Sequence, residues 1–160
     1  MSLVLTTTVS VFYDKAVLLA VEAEFFSHRD RPIDKDLAII ILHQAVEMGL
    51  KAFLLMEGKN IHEKGSKTIN FSKILEILRN KLGAEIFNLF VILNNIRNNL
   101  QHYAFLSIPD EPKTFVNDFV KENITALNKI LPKHPKMSTF FGNLIDIEIG
   151  SQTYVDSMMS

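Results

Sequence analysis

The sequence predicts an all-α protein, an up-and-down bundle of about five helices. Apolar residues recur at steps of three and four in five separate stretches, which is the spacing that lines one face of an α-helix. Glycine, proline or polar residues separate consecutive stretches. At 160 residues, with 48% of them hydrophobic, the chain is long enough and apolar enough to bury a single core.

The first helix is predicted to begin near Ser10. Residues 1–9 are interpreted as an N-terminal leader, of which residues 1–3 could be a cloning scar. Polar residues 28–31 and then Pro32 end the helix, because proline has no amide hydrogen with which to continue it. The residues expected to face the core are Phe12, Ala16, Leu19, Ala23 and Phe26.

The second helix follows at once, with Asp34 or Asp36 as its expected N-cap. Gly58 ends it, and residues 59–69 are polar enough to form a solvated loop. The residues expected to face the core are Ile39, Leu42, Val46, Leu50 and Phe53.

The third and fourth helices are predicted to adjoin each other. Asn70 caps the third, Gly83 ends it, and the fourth runs over about residues 84–103 until Pro109 and Pro112 mark the next break. The expected core residues are Ile74, Leu75, Leu78 and Leu82 in the third helix, and Ile86, Phe90, Leu93, Ile96 and Leu100 in the fourth.

A fifth helix closes the predicted bundle, which spans residues 10–131. After it, residues 132–160 are predicted to form a short irregular or strand-like C-terminal extension, which either packs against a second subunit or is the start of a further segment in a longer protein. Within this extension, residues 145–149 alternate strictly between apolar and acidic, a pattern that favours a short strand or an extended arm. The expected core residues of the fifth helix are Val116, Val120, Ile124, Leu127 and Leu131.

Composition and charge exclude several classes of function. A net charge of −1 argues against a generally basic, phosphate-coating protein, so any contact with RNA must be local. Without cysteine there is no disulfide framework, no thiolate nucleophile and no Cys-ligated zinc site. No His or carboxylate pair has metal-ligand spacing, and neither a metal nor a cofactor is predicted.

The sequence also predicts a cytoplasmic protein with no membrane partner. Its longest apolar runs, residues 37–42 and 86–93, are far shorter than the roughly 20 residues that span a bilayer. The first residues lack the positive region and the cleavage site of a secretory signal.

Polar side chains are unusually dense near the end of the predicted fourth helix. The stretch from Asn94 to Tyr103 reads Asn-Asn-Ile-Arg-Asn-Asn-Leu-Gln-His-Tyr. A helix in a bundle normally has one polar face, whereas these polar residues spread well beyond one face. We therefore expect a second protein surface or a ligand to cover part of this helix.

Arg97 and Asn98, followed by His102, resemble the signature of the HEPN superfamily, in which an arginine and a polar residue precede a histidine by a few positions. Residues 42–55 also resemble the second helix of many HEPN domains, and the likeness in helix order covers about residues 10–131. The resemblance implies a HEPN-like bundle and a metal-independent endoribonuclease of defence or toxin–antitoxin systems. It also implies a homodimer in which paired Arg and His side chains line one cleft.

One position departs from the pattern of a HEPN subgroup. In HEPN toxins paired with a nucleotidyltransferase antitoxin, a tyrosine that the partner can modify lies two positions after the signature histidine. That position here is Ala104, and the nearby tyrosine is Tyr103. The departure argues against that particular antitoxin, and it leaves the nuclease interpretation unchanged.

The chemistry of RNA cleavage without a metal explains these residue types. The reaction needs a base for the 2′-hydroxyl, an acid for the leaving 5′-oxygen and a cation at the phosphate. His102 can exchange a proton near neutral pH, Arg97 can bind phosphate oxygens through two parallel donors, and Asn98 can orient either side chain or the phosphate. Since one chain supplies one such histidine, two-proton chemistry predicts two copies that meet about a twofold axis.

Glu47, Lys51, Asn94 and Tyr103 are the predicted supporting residues. Glu47 and Lys51 form a pair at helical spacing, worth only tenths of a kcal/mol when exposed. His43 lies among apolar positions of the second helix and is expected to be a packed or interface histidine rather than a ligand.

Two other interpretations of the polar stretch stay open. Arg97 and His102 could simply be favourable charges near the C-terminus of a helix. Alternatively, the chain could be a HEPN-like domain without catalysis, serving as a dimerisation or RNA-binding module in a larger defence protein. The net charge near zero and the unexplained C-terminal extension slightly favour this second alternative.

Overall fold

The structure is a computed structural model that describes residues 3–62, 65, 67–103 and 114–131, with the backbone alone at residues 3–7, 102, 103 and 114. In this part of the chain the all-α bundle is confirmed, and the only β pairing is an isolated bridge between His62 and Thr68. The five helices are α1 (Leu3–Ser27), α2 (Pro32–Met56), α3 (Phe71–Leu82), α4 (Ala84–Tyr103) and α5 (Thr114–Ile130).

Helix α2 is the centre of the bundle. It packs along α1 and contacts α3, α4 and α5 as well. By length and composition it is apolar enough to cross a membrane, although the short apolar runs of the sequence predicted no such segment. Of its most apolar stretch, 61% is buried inside the protein, as is usual for the core helix of a soluble bundle.

Helix α1 corrects two predictions. It begins at Leu3 rather than near Ser10, so residues 3–9 are helical. The face that it buries is also rotated from the predicted one, because small residues let α1 lie close to α2. Phe12, Leu19 and Phe26 are only half-buried. The buried hydrophobic residues are Val9, Tyr13, Ala16, Val17, Ala20 and Ala23.

The start of α2 differs from the prediction in the role of Asp34. Arg31 is the N-cap and Pro32 is the first helical residue, so neither predicted aspartate caps the helix. Asp34 is instead fully buried in the first turn, where Arg31 donates to both of its oxygens at 2.9 Å. These hydrogen bonds, with the charges of Arg31 and Arg29, hold the pKa of Asp34 below its usual value although burial opposes them. The carboxylate therefore ties the α1–α2 turn to α2.

The remaining helix ends agree with the sequence. Glycine at position 58 follows the end of α2, and the side chain of Asn70 accepts from Lys73 N at 2.9 Å to cap α3. Gly83 adopts a φ of 80°, which favours glycine, and separates α3 from α4. The described residues between 59 and 69 are mostly exposed, yet Ile61 and Ile69 anchor this loop in the core. The predicted strand at 145–149 lies outside the described residues.

Helices α2 and α5 pack closely against each other at Gly49. A Cβ atom built at Gly49 would lie 2.6 Å from Leu127 Cδ1 and 3.3 Å from its Cγ. Leu127 is 1% exposed and has little room in which to move aside. The missing side chain at position 49 therefore sets the distance between these two helices.

We expect Gly49→Val to destabilise the protein by about 1–3 kcal/mol, because the added methyl groups would overlap Leu127 in a closed core. Urea unfolding followed by circular dichroism would measure the change. The double variant with Leu127→Ala should be less destabilised than the sum of the two single changes, since the truncated side chain makes room for valine. Additive effects would contradict the close approach.

Candidate functional site

Three helices meet at a chain of hydrogen bonds between His43 on α2, Asn94 on α4 and Ser72 on α3. His43 Nε2 lies 3.0 Å from Asn94 Oδ1, and Asn94 Nδ2 donates to Ser72 Oγ at 3.1 Å. An amide oxygen can only accept, so His43 Nε2 carries the proton and donates it to this bond. Asn94 is thus held from both ends of its amide group.

His43 is a packed histidine in a largely apolar setting. It is 4% exposed, and its ring stacks on Phe71 with 4.2 Å between ring centroids. Burial lowers the pKa of His43 to about 4; the hydrogen bond to Asn94 opposes this shift, and the positive charge of Arg97 adds to it. His43 is therefore neutral at pH 7.

Arg97 and Asn98 lie one helical turn after Asn94, on the neighbouring part of the α4 surface. Both side chains are partly exposed, and Arg97 Nη1 donates to Asn98 Oδ1 over a long 3.4 Å. Arg97 forms no ion pair with any acidic residue in the part of the chain that the structure describes. Its partly exposed guanidinium can therefore be reached by an anionic ligand.

The third predicted catalytic residue, His102, lies on α4, whose backbone continues to Tyr103. The side chains of His102 and Tyr103 are outside the described residues. The structure thus brings together Arg97, Asn98 and the predicted supporting residue Asn94.

The other two predicted supporting residues, Glu47 and Lys51, interact with a different part of the protein from Arg97. Lys51 is only 5% exposed, and its Nζ donates to Thr68 Oγ1 at 3.2 Å and lies 3.9 Å from Glu47 Oε1. Among the described residues, no hydrogen bond or ion pair joins either side chain to Arg97. Lys51 therefore fastens the loop after α2 and is more than the exposed partner of Glu47 that the sequence suggested.

The network of His43, Asn94 and Ser72 was not predicted from the sequence, although the positions of His43 and Asn94 could have indicated it. His43 follows Ile39 by four residues and Asn94 follows Phe90 by four, so both occupy apolar stripes. A polar side chain in a core position needs a hydrogen-bond partner to offset the loss of water. Two such residues on neighbouring helices are candidate hydrogen-bond partners of each other. Nothing in the sequence around Ser72 indicated that it belongs to the network.

An open groove of about 1120 Å³ lies between the first half of α4 and α5, lined in part by Ile86, Leu89 and Ile92. It contains none of the predicted site residues. Within the described residues, no group of three or more His, Asp or Glu side chains could hold a metal ion.

Comparison of the chain with known protein families, with curated proteins and with solved structures found no match. The HEPN resemblance therefore depends on the residues of the chain itself, and it stays a prediction.

Proposed function

We propose that the protein is a metal-independent endoribonuclease whose site is formed by the C-terminal ends of α4 from two copies of the chain. The observation that carries the proposal is the position of Arg97: its guanidinium is partly exposed beside Asn98, without a described acidic partner and five residues before His102. Such a group suits the phosphate of a phosphodiester, which it can hold through paired donors.

The proposed reaction uses only side chains of this chain and the RNA. One His102 imidazole accepts the proton of the 2′-hydroxyl while the 2′-oxygen forms a bond to phosphorus. The bond from phosphorus to the 5′-oxygen breaks, and a protonated second imidazole donates its proton to that oxygen. The products are a 2′,3′-cyclic phosphate and a 5′-hydroxyl. Arg97 stabilises the negative charge that develops on the phosphate oxygens.

The second imidazole is the reason for a homodimer. A twofold axis near the end of α4 would bring two His102 residues and two Arg97 residues to one cleft. The amide side chains of Asn95, Asn99 and Gln101 are exposed on this part of α4 and offer neutral hydrogen-bonding groups to the second copy or to RNA. A flexible single strand or loop fits this reaction best, because the 2′-oxygen must align with the leaving oxygen.

Cleavage assays with excess EDTA test the proposal directly. The parent protein should cut a labelled single-stranded RNA, leave 2′,3′-cyclic phosphate ends, and spare the matching 2′-deoxy strand. Light scattering should give the mass of a dimer. Cleavage that requires a divalent metal, cleavage of the 2′-deoxy strand or a strictly monomeric protein would overturn the mechanism.

RNA binding without cleavage would instead favour the second interpretation, a non-catalytic dimerisation or RNA-binding module. In either case we propose a cytoplasmic role in defence or in a toxin–antitoxin system, with RNA and either an antitoxin or a larger defence complex as partners.

A further inference from the structure

We infer that His43 is a positioning residue of the proposed site: by donating to Asn94, it fixes the turn of α4 from which Arg97 and Asn98 project. The kinetic part of this inference rests on the proposed ribonuclease function. Its geometric part rests on three side chains from three different helices, of which His43 is buried and Asn94 is partly buried.

The network limits the motion of α4 in two ways. The stack of His43 on Phe71 prevents the imidazole from turning away from Asn94, because both rings are buried against each other. The bond from Asn94 to Ser72 holds the other end of the same amide group. Rotation of α4 about its axis would therefore break both hydrogen bonds, and the buried His43 donor would be left without its acceptor, which costs about 1–3 kcal/mol.

The next turn of α4 depends on this restraint. Arg97 and Asn98 follow Asn94 by three and four residues, so a rotation of the helix at Asn94 moves both of them. A displacement of about 1 Å between catalytic groups and substrate can reduce a rate by about 100-fold. The network thus holds the guanidinium at the position where the second copy and the RNA would meet it.

A neutral donor is required at position 43. The charge of Arg97 on α4 acts on the imidazole, α3 presents the uncharged side chains of Phe71 and Ser72, and α2 itself carries Glu47 one turn away. A positively charged donor in this place would repel the guanidinium that it helps to position. Neutral histidine gives the hydrogen bond without that repulsion.

Two variants of His43 separate the hydrogen bond from the packing. His43→Phe keeps an aromatic ring against Phe71 and removes the donor, and we expect kcat for RNA cleavage to fall by about 10- to 100-fold with little change in KM. His43→Gln keeps a neutral donor and should recover most of the lost rate. His62→Phe makes the same chemical change at an exposed loop histidine and should leave kcat unchanged.

Nuclear magnetic resonance provides a second measurement that needs no cleavage. In the parent protein, ¹⁵N shifts should place the proton of His43 on Nε2, and the Asn94 amide and Arg97 Nε–H should each give one sharp resonance. In His43→Phe the Asn94 and Arg97 signals should broaden or split, and in His43→Gln they should sharpen again. Unchanged signals and an unchanged kcat in His43→Phe would overturn the positioning role.

Failure of the proposed function looks different. Suppose that the parent protein does not cleave RNA and that the Asn94 and Arg97 signals depend on a donor at position 43. The proposed ribonuclease function is then wrong, and the positioning of α4 by His43 is confirmed. If those signals do not depend on the donor, His43 does not position the end of α4, whatever the parent protein cleaves.

Discussion

Arg97→Ala and His102→Ala are each expected to lower the rate constant of RNA cleavage by about 100-fold or more. Removing Arg97 takes away the cation that stabilises the phosphate in the transition state, and removing His102 takes away proton transfer at the 2′- and 5′-oxygens. Arg97→Lys should recover little, because an ammonium group cannot offer the same pair of parallel donors. Single-turnover assays in EDTA would measure these rates.

Matched controls make the comparison specific. Arg79→Ala removes an exposed arginine from α3, and His62→Ala removes an exposed histidine from the loop after α2. Neither residue belongs to the proposed site, so both variants should cleave RNA at the parent rate. A loss of activity in the controls equal to that in the site variants, or full activity in Arg97→Ala, would contradict the assignment of the site.

Mixed dimers test whether two subunits share one site. If both His102 residues of a dimer are needed, activity in re-equilibrated mixtures of parent and His102→Ala should fall as the square of the parent fraction. If one chain suffices, activity should fall linearly with that fraction. The two curves differ most at equal mixing, where about a quarter or about a half of the activity remains under random pairing of subunits.

The sequence predicted the buried face of a helix well wherever apolar and polar residues were clearly separated. All five predicted core positions in and just after α5 are buried, since the charged residues of the helix occupy the opposite face. In α1 apolar residues occur around most of the helix, and Val11 and Leu18 remain 44% and 64% exposed. The spacing alone could not fix which face meets α2. Alanines that permit close packing decided it.

Local charge was harder to interpret than periodicity. Asp34 has the residue type and the position of an N-cap, and only the structure shows that Arg31 draws its carboxylate into an ion pair. Lys51 likewise fitted an exposed pair with Glu47, yet the loop after α2 folds over it and Thr68 becomes its partner. The arginine just before α2 determined the contact of Asp34, and a residue of the loop after α2 determined that of Lys51.

At the candidate site, the sequence predicted the helix and the order of its polar residues, and the structure adds what holds them. Arg97, Asn98 and Asn94 could be chosen from the unusual polar stretch and the HEPN resemblance. The contribution of α2 and α3 depends on how three helices pack, and helical periodicity does not contain that information. His43 was predicted to be packed, and its link to Asn94 follows from the contact between α2 and α4.

The buried imidazole of His43 also predicts a loss of stability in weak acid. Its pKa is about 4 in the folded protein, whereas an exposed histidine in the unfolded chain titrates near about 6.5. Between these two values the unfolded state binds a proton that the folded state does not. Lowering the pH therefore favours unfolding as the pH falls from about 6.5 to about 4, and below about 4 this contribution no longer changes.

We expect this single group to reduce the free energy of unfolding by about 2 kcal/mol between pH 7 and pH 5. Urea titrations of the parent and of His43→Gln at both pH values would isolate the contribution of His43, because every other titrating group is common to the two proteins. The parent should lose about 2 kcal/mol more than His43→Gln over this interval. Equal losses would mean that His43 can take up a proton in the folded protein, which its 4% exposure, its stack on Phe71 and the charge of Arg97 all oppose. A protonated His43 would then repel the guanidinium of Arg97, so the same measurement also tests whether the neutral donor of the α2–α4 network persists in weak acid.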